Sequence, residues 1–221
     1  MEYKKSVAGQ QRVGVFGGTF DPVHFGHLVI AEEVFAALNL SEMVFVPTGQ
    51  PPHKPGRSIT PAEHRVAMLE RAIAGNAHFS LSRIEVDRPG PSYTVDTLRR
   101  LREEWSSTGE EVAIYFVIGW DSLEYLLTWH DPGGLLEQLD HLVAVKRPGY
   151  NEDSAYLDGL EARLPGLKSR LLVVPAPQLD ISSTDLRRRV AGGRPIKYQL
   201  PESVEAYITY YGLYRDDADA H

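Results

Sequence analysis

Cysteine is absent from the 221-residue chain, which excludes disulfides and thiolate metal sites. Long apolar runs are missing as well. The most hydrophobic stretch, Val112–Ile118, is far too short to span a bilayer. Nothing apolar follows the lysines of the N-terminal MEYKKSVAGQQ, so no signal peptide is read there. Positive charge is in deficit: 23 Lys and Arg stand against 30 Asp and Glu, a formal net charge of −7. That argues against general nucleic-acid or anionic-membrane binding and leaves room for a local basic pocket. There is no internal repeat and no low-complexity linker. The expectation is a soluble, cytoplasmic protein.

What the chain does contain is 43% hydrophobic residues, enough for a sizeable core. Its length suits one compact α/β domain, with two small domains as the weaker option. Residues 1–11 are read as a flexible extension, 12–214 as a single domain, and 215–221, ending in DDADAH, as a frayed tail. Strand-like and helix-like patterns then alternate. Arg12–Phe16, Met43–Val46, Val112–Ile118, His141–Val145 and Leu171–Val174 read as strands, and Phe79–Val86 as extended. Val112–Ile118 is almost wholly apolar, as a central strand covered on both faces should be. Phe25–Leu38 reads as a helix with Leu28, Ala31, Phe35 and Leu38 on one face. Pro47–Ile59 is a Pro- and Gly-rich loop. After it Thr60 is placed as a helix cap, with Pro61 in the first helical position and Glu63 completing a capping box. Further helices are expected over Thr94–Trp105, Asp153–Leu164, Ser183–Ala191 and Glu202–Tyr210. The alternation implies an α/β fold, a Rossmann-like, doubly wound, mostly parallel sheet with helices on both faces. Such sheets bind ligands beyond the carboxyl ends of their strands, near the switch in strand order. The loops after Phe16, Val46 and Ile118 leave such ends.

One stretch stands out. GVFGGTFDPVHFGHL, Gly14–Leu28, carries four glycines and two histidines where a strand gives way to a helix. Gly17 and Gly18 follow the strand, where missing side chains allow a sharp turn and close approach of a ligand. The helix beyond offers unpaired N–H groups and the positive end of its dipole, which suits phosphate. Neither GxGxxG nor GxxxxGK[ST] is present. His24 and His27 stand at the helix start, and each can donate a hydrogen bond and gain a charge. Read from the pattern alone, they remain candidates for phosphate contact, for capping or core packing, or, less well supported, for a metal. The wording GGTFDPVHFGH resembles the GxFDPxHxGH signature of the nucleotidyltransferase α/β-phosphodiesterase superfamily. That resemblance implies that His24 and His27 contact the triphosphate of a nucleotide, and that the Gly17–Gly18 turn admits it.

A second segment, ISSTDLRRRV, runs from Ile181 to Val190. Ser182 with Asp185 three residues on is an ordinary capping signal, and three consecutive arginines cannot all face one ligand. The segment resembles the ISSTxxR signature of the superfamily's nicotinate and nicotinamide mononucleotide adenylyltransferases. By position, Ser182, Ser183 and Thr184 then bring hydroxyls and backbone N–H groups to the ATP phosphates, and Arg187 brings the cation. Two distant helix starts are thus expected to converge on one triphosphate.

Three middle segments bear on the second substrate. GQPPHK, Gly49–Lys54, is stiffened by Pro51 and Pro52, and Lys54 is read either as a phosphate contact or as an idle surface lysine. PSYTVDTL puts Ser92, Tyr93 and Thr94 at a helix start, where N–H donors favour a carboxylate over a carboxamide; a simple cap is the other reading. In GWDSLEYLLTWHD, Gly119–Asp131, Trp129 either stacks on a cationic pyridine ring or sits in the core, and Asp121 either bonds ribose or turns the chain. Together with KRPG, Lys146–Gly149, these segments resemble bacterial nicotinate-nucleotide adenylyltransferases from Val13 to about Tyr214. Phosphopantetheine adenylyltransferases share the first signature without the SYT and ISSTxxR segments.

The resemblance implies adenylyl transfer from ATP to nicotinate mononucleotide, giving deamido-NAD and pyrophosphate. His24, His27 and Arg187 are the implied catalytic residues. The implied ATP contacts add Gly17, Gly18, Thr19 and Phe20 from the first motif, Gly119 and Asp121, and Ile181, Ser182 and Ser183. The implied mononucleotide contacts are Lys54, Ser92, Tyr93, Thr94, Asp121 and Trp129. Mg²⁺ is expected to travel with ATP, with no protein metal site. Small-molecule substrates, no nucleic acid or membrane, and a homo-oligomer as an open option complete the expectations. Competing readings are a nicotinamide-preferring or dual-specificity enzyme, a catalytically silent nucleotide-binding protein on the same fold, and a structural α/β domain.

Overall fold

A computed structural model describes residues 10–50, 59–146, 154–177 and 179–215. The strands are β1 (Gln11–Gly18), β2 (Glu42–Pro47), β3 (Phe79–Leu81), β4 (Val112–Gly119), β5 (His141–Lys146) and β6 (Leu171–Pro175). The first helices are α1 (Phe25–Leu38), α2 (Ala62–Ile73), α3 (Thr94–Ser107), α4 (Asp121–Tyr125) and α5 (Pro132–Gln138). They are followed by α6 (Ser154–Arg163), α7 (Leu167–Arg170), α8 (Ser183–Ala191) and α9 (Glu202–Tyr211).

The strands form one sheet in the order β3-β2-β1-β4-β5-β6, every pair parallel. Sequence order reverses between β1 and β4, so the connections on either side leave toward opposite faces and open a crevice at the strand ends. Phe16 pairs with Val117, which brings Gly17–Gly18 level with Ile118–Gly119 at that crevice. The period of two in β4 feeds both faces. Ala113, Tyr115 and Val117 join the core under α1, α2, α8 and α9, whereas Ile114, Phe116 and Ile118 join the core under α3 to α7. Each fully buried leucine there, such as Leu98 or Leu123, contributes roughly 1.5–3 kcal/mol. The expected doubly wound fold is the observed one. No helix among the described residues is long and apolar enough to cross a membrane.

α1 and α8 have the expected bounds. The buried stripe of α1 is Ala31, Val34 and Leu38, while Leu28 and Phe35 are half-buried at its border. Three local expectations differ. The Thr60 capping box does not form: α2 starts at Ala62 with Pro61 in the cap position. Thr60 is held from outside the helix, its N–H donating to Asp21 Oδ2 at 3.2 Å and its carbonyl accepting Arg65 Nε at 2.9 Å. The extended segment stops at Leu81, because Asp87 N–H donates back to the Arg83 carbonyl at 2.9 Å and closes a turn that carries Glu85 inward. Gly17 and Gly18 are the last residues of β1 rather than a turn after it.

Candidate active site

The chain reverses beyond Gly18, and the left-handed residue of that reversal is Phe20, φ 49°, not a glycine. Its ring, 2% exposed, packs against Phe16, Phe45 and His27 with centroids 5.8, 5.8 and 5.1 Å away. Phe20 therefore serves the core with its ring and borders the site only beside Thr19 and Asp21. The two glycines differ. A Cβ on Gly18 would lie 2.9 Å from the Phe20 ring, whereas one on Gly17 would meet only Phe116, at 3.8 Å. Gly18 is demanded by packing, and Gly17 keeps a cavity wall low.

The Asp21–Pro22 bond is cis, and His24 then caps α1. The His24 backbone N–H donates to His27 Nδ1 at 3.3 Å, and the His27 N–H returns to the His24 carbonyl at 3.0 Å. Accepting at Nδ1 leaves the proton of neutral His27 on Nε2. The two imidazoles stack with centroids 3.8 Å apart. Burial pushes the pKa of His24 down to about 4, and burial together with the neighbouring His24 holds His27 well below the ordinary value. The positive charge expected on these rings is thus absent at neutral pH in the protein by itself; an arriving polyanion favours it.

α8 meets this segment directly. Arg187, 6% exposed, donates from Nη1 to the Asp21 carbonyl at 2.7 Å, across 166 residues of sequence. Ser183 Oγ donates to the Pro22 carbonyl at 2.9 Å. That bond ties the Ser183 hydroxyl to the histidine segment in the protein by itself. Ser182 Oγ accepts the Asp185 N–H at 3.1 Å as the N-cap and keeps its own proton to give. The first intrahelical backbone bond of α8 runs from the Leu186 N–H to the Ser182 carbonyl at 3.0 Å.

Three recesses surround these groups. One of 200 Å³ is lined by Thr19, Asp21, His27, Thr184 and Arg187, so an imidazole and the late guanidinium share a wall. A second, of 360 Å³, takes His24, Asp121, Ile181 and Ser182, and shares His27 and Ser183 with the first. Lys146 lies in its wall, with Nζ 5.6 Å from the Trp120 ring. A third, of 390 Å³, holds Ser92, Tyr93, Thr94 and Trp129, and shares Thr19 with the first and Gly119 with the second. Gly119 has nothing within 4 Å of where a Cβ would stand. Asp121 borders the second recess and not the third, which separates it from the pyridine-stacking candidate. Among the described residues, no group of three His, Asp or Glu is arranged to hold a metal ion.

The third recess also revises Ser92. Its N–H donates to the Gln50 carbonyl at 2.9 Å, and its hydroxyl accepts the Gln50 N–H at 3.3 Å. The Ser92 hydroxyl also bonds the Glu85 carboxyl, so both groups are engaged within the protein, leaving Tyr93 and Thr94 to present the first N–H groups of α3. Tyr93 occupies the N-cap position, without a side-chain cap bond, and its ring stacks on His130 at 4.2 Å. The Trp129 and Phe116 rings meet in a T-shaped arrangement in the recess wall, with centroids 6.3 Å apart. Lys54, with Pro51, Pro52 and the rest of residues 51–58, lies outside the described residues, as do residues 147–149 of the KRPG segment.

Sequence reasoning missed three groups. Arg65, 1% exposed, donates to the carbonyls of Thr60, Thr19 and Thr48 at 2.9, 2.9 and 2.7 Å. Glu85 accepts the Thr97 hydroxyl at 2.6 Å and the Gly49 N–H at 3.3 Å, and burial raises its pKa. Tyr214 donates its hydroxyl to Asp21 Oδ1 at 2.7 Å. For Arg65 alone a signal was available: it interrupts an otherwise apolar helix face with Met68, Leu69 and Ile73.

The cytidylyltransferase-like family model matches residues 15–189. A probable nicotinate-nucleotide adenylyltransferase of Thermomicrobium roseum is 50% identical over 204 residues, covering 92% of each chain. Another, of Rubrobacter xylanophilus, is 47% identical over 208 residues, covering 94% of each. Among solved structures, the Plasmodium falciparum nicotinic acid mononucleotide adenylyltransferase complexed with NaAD superposes with a TM-score of 0.73 at 20% identity, covering 93% of this chain and 98% of that one, a likeness of fold. A sheet that switches order at the glycine-lined crevice, two signature segments in contact there and relatives of this closeness lead to one conclusion: the chain belongs to the cytidylyltransferase-like family and, within it, to the nicotinate-nucleotide adenylyltransferases.

Proposed function

We propose that ATP occupies the 360 and 200 Å³ recesses, with its phosphates between His27 and Arg187, and that nicotinate mononucleotide occupies the 390 Å³ recess. The reaction is adenylyl transfer from ATP to nicotinate mononucleotide, a step of NAD biosynthesis. An oxygen of the mononucleotide 5′-phosphate attacks the α-phosphorus in line. The bond from that phosphorus to the bridging oxygen breaks, and pyrophosphate leaves with the electron pair. The nucleophile is already anionic, so the site needs no general base.

This chain's residues hold two polyanions together and neutralise the charge that builds between them. His27 offers Nε2–H and takes up positive charge as phosphate approaches, while His24 stacks behind it. Arg187, the Ser182 hydroxyl and the opening N–H groups of α8 receive the outer phosphates. All of these groups are donors, a set that fits anionic oxygens. Mg²⁺ is accordingly assigned to the phosphates of ATP, as part of the substrate, with no protein ligand. At the other recess, Tyr93 and Thr94 face the pyridine carboxylate and Trp129 its ring. Asp121 is assigned to the nucleotide side.

The observation that carries this reading is the recess shared by His27 and Arg187, joined through Thr19 to the recess of Tyr93 and Trp129. The test is pyrophosphate release with nicotinate and nicotinamide mononucleotides side by side. Nicotinate mononucleotide is expected to have a kcat/KM at least about tenfold higher, one well-placed polar contact being worth that much. Equal efficiency removes the donor role of Tyr93 and Thr94.

A further inference from the structure

Asp21 is a junction. It is 4% exposed, and each of its oxygens is used. Oδ2 accepts the Thr60 N–H at 3.2 Å, Oδ1 accepts the Tyr214 hydroxyl at 2.7 Å, and the carbonyl accepts Arg187 Nη1 at 2.7 Å. Tyr214 enters from beyond α9, in a left-handed conformation with φ 65°, and its hydroxyl also faces Met68 Sδ at 3.9 Å. It is not among the residues lining the 200 Å³ recess, whereas Asp21, which accepts its hydroxyl, is. The bond has a fixed direction: burial and the Asp21 charge push the Tyr214 phenol upward in pKa, so it donates throughout the working pH range.

We propose that Tyr214 is a positioning residue for Arg187. Its hydroxyl fixes the Asp21 carboxylate, and thereby the Asp21 carbonyl on which the guanidinium rests. This deepens the assignment of Arg187 to the ATP phosphates and rests on it. Removing the hydroxyl takes a donor from a buried carboxylate, which shifts toward its remaining partners and moves the carbonyl with it. The mononucleotide recess contains neither Asp21 nor Arg187 and is left unchanged.

The experiment is steady-state pyrophosphate release by Tyr214→Phe, Arg187→Ala and the double variant, with each substrate varied in turn. Tyr214→Phe is expected to lower kcat/KM for ATP about tenfold, the usual worth of a hydrogen bond to a charged group, and to leave KM for the mononucleotide within about twofold. In the Arg187→Ala background the same substitution is expected to have no further effect on kcat/KM for ATP. An unchanged kcat/KM for ATP in Tyr214→Phe, an equal rise in both KM values, or additive losses in the double variant overturns the proposal. Should Arg187→Ala itself leave ATP kinetics untouched, the phosphate assignment of Arg187 falls first. The double variant keeps the test decisive if Tyr214→Phe lowers the folded yield, because an inactive fraction scales kcat equally in both backgrounds.

Discussion

Gly17 and Gly18 lack side chains for different reasons, and substitution separates them. Alanine at Gly18 drives its methyl into the Phe20 ring, 2.9 Å away and locked among Phe16, Phe45 and His27. Gly18→Ala should therefore cost on the order of 1–3 kcal/mol, seen as an earlier urea midpoint. Gly17→Ala places its methyl in ordinary contact with Phe116 and should leave the midpoint unchanged. The same methyl stands in the recess wall, so Gly17→Ala should lower kcat/KM by on the order of 10–100-fold. A sequence shows where side chains are missing and not which atoms fill the space. That is why both glycines read as ligand-facing. The serines show the same limit. Ser92 and Ser183 read as ligand contacts in the sequence, yet they hydrogen-bond Gln50 and Pro22, partners 42 and 161 residues away, which no local pattern displays.

At the scale of elements, α2 matters less for its own packing than for what it holds. Arg65 projects from its first turns and gathers three carbonyls, from the loop after β1, the loop after β2 and the approach to α2. One buried guanidinium thus fixes both described ends of the segment between Gln50 and Ile59 against the loop after β1. Arg65→Met fills a similar volume and strands those carbonyls. It should cost on the order of 3 kcal/mol in urea unfolding. Arg65→Lys should recover only part of this, because an ammonium lacks the planar fork. Helix bounds were legible where local and tertiary signals agree: α1 and α8 start at capping residues that the fold also uses. They failed at α2, where Asp21 and Arg65 take hold of Thr60 and outweigh its capping preference. The Asp131–Pro132 start of α5 carried a readable cap signal, Asp131 accepting the Gly134 N–H at 2.9 Å, but a helix of 7 residues leaves little periodicity to see.

Taken whole, the protein buries imidazoles in their neutral form: burial lowers the pKa of His24, His27 and His141 alike. Unfolded, each takes a proton near pH 6.5; folded, each does so only at lower pH. The associated stability is complete above about pH 6.5 and is lost as the pH falls toward 4, because the unfolded chain then binds more protons. For His24 alone the loss is on the order of 3 kcal/mol. Melting temperatures of the wild type and of His24→Asn should converge as the pH is lowered from 7.5 to 5, since asparagine caps a helix without titrating. A constant gap would mean that His24 takes up its proton at the same pH in the folded protein as in the unfolded chain. The sheet and its switch point were legible from the alternation of strands and helices. The titration behaviour was not, because it depends on depth of burial, as where Phe16 and Phe20 enclose the His27 ring.

The recess proposed for the ATP phosphates is closed by contacts spanning 161 and 166 residues, from Ser183 to Pro22 and from Arg187 to Asp21. During synthesis at roughly 5–20 residues per second, the early histidine segment therefore leaves the ribosome about 10–30 s before the arginine that completes its surroundings. Until then the emerging polypeptide has half of the proposed polyphosphate cradle and no means of using it, so on that assignment catalytic competence arrives late in translation.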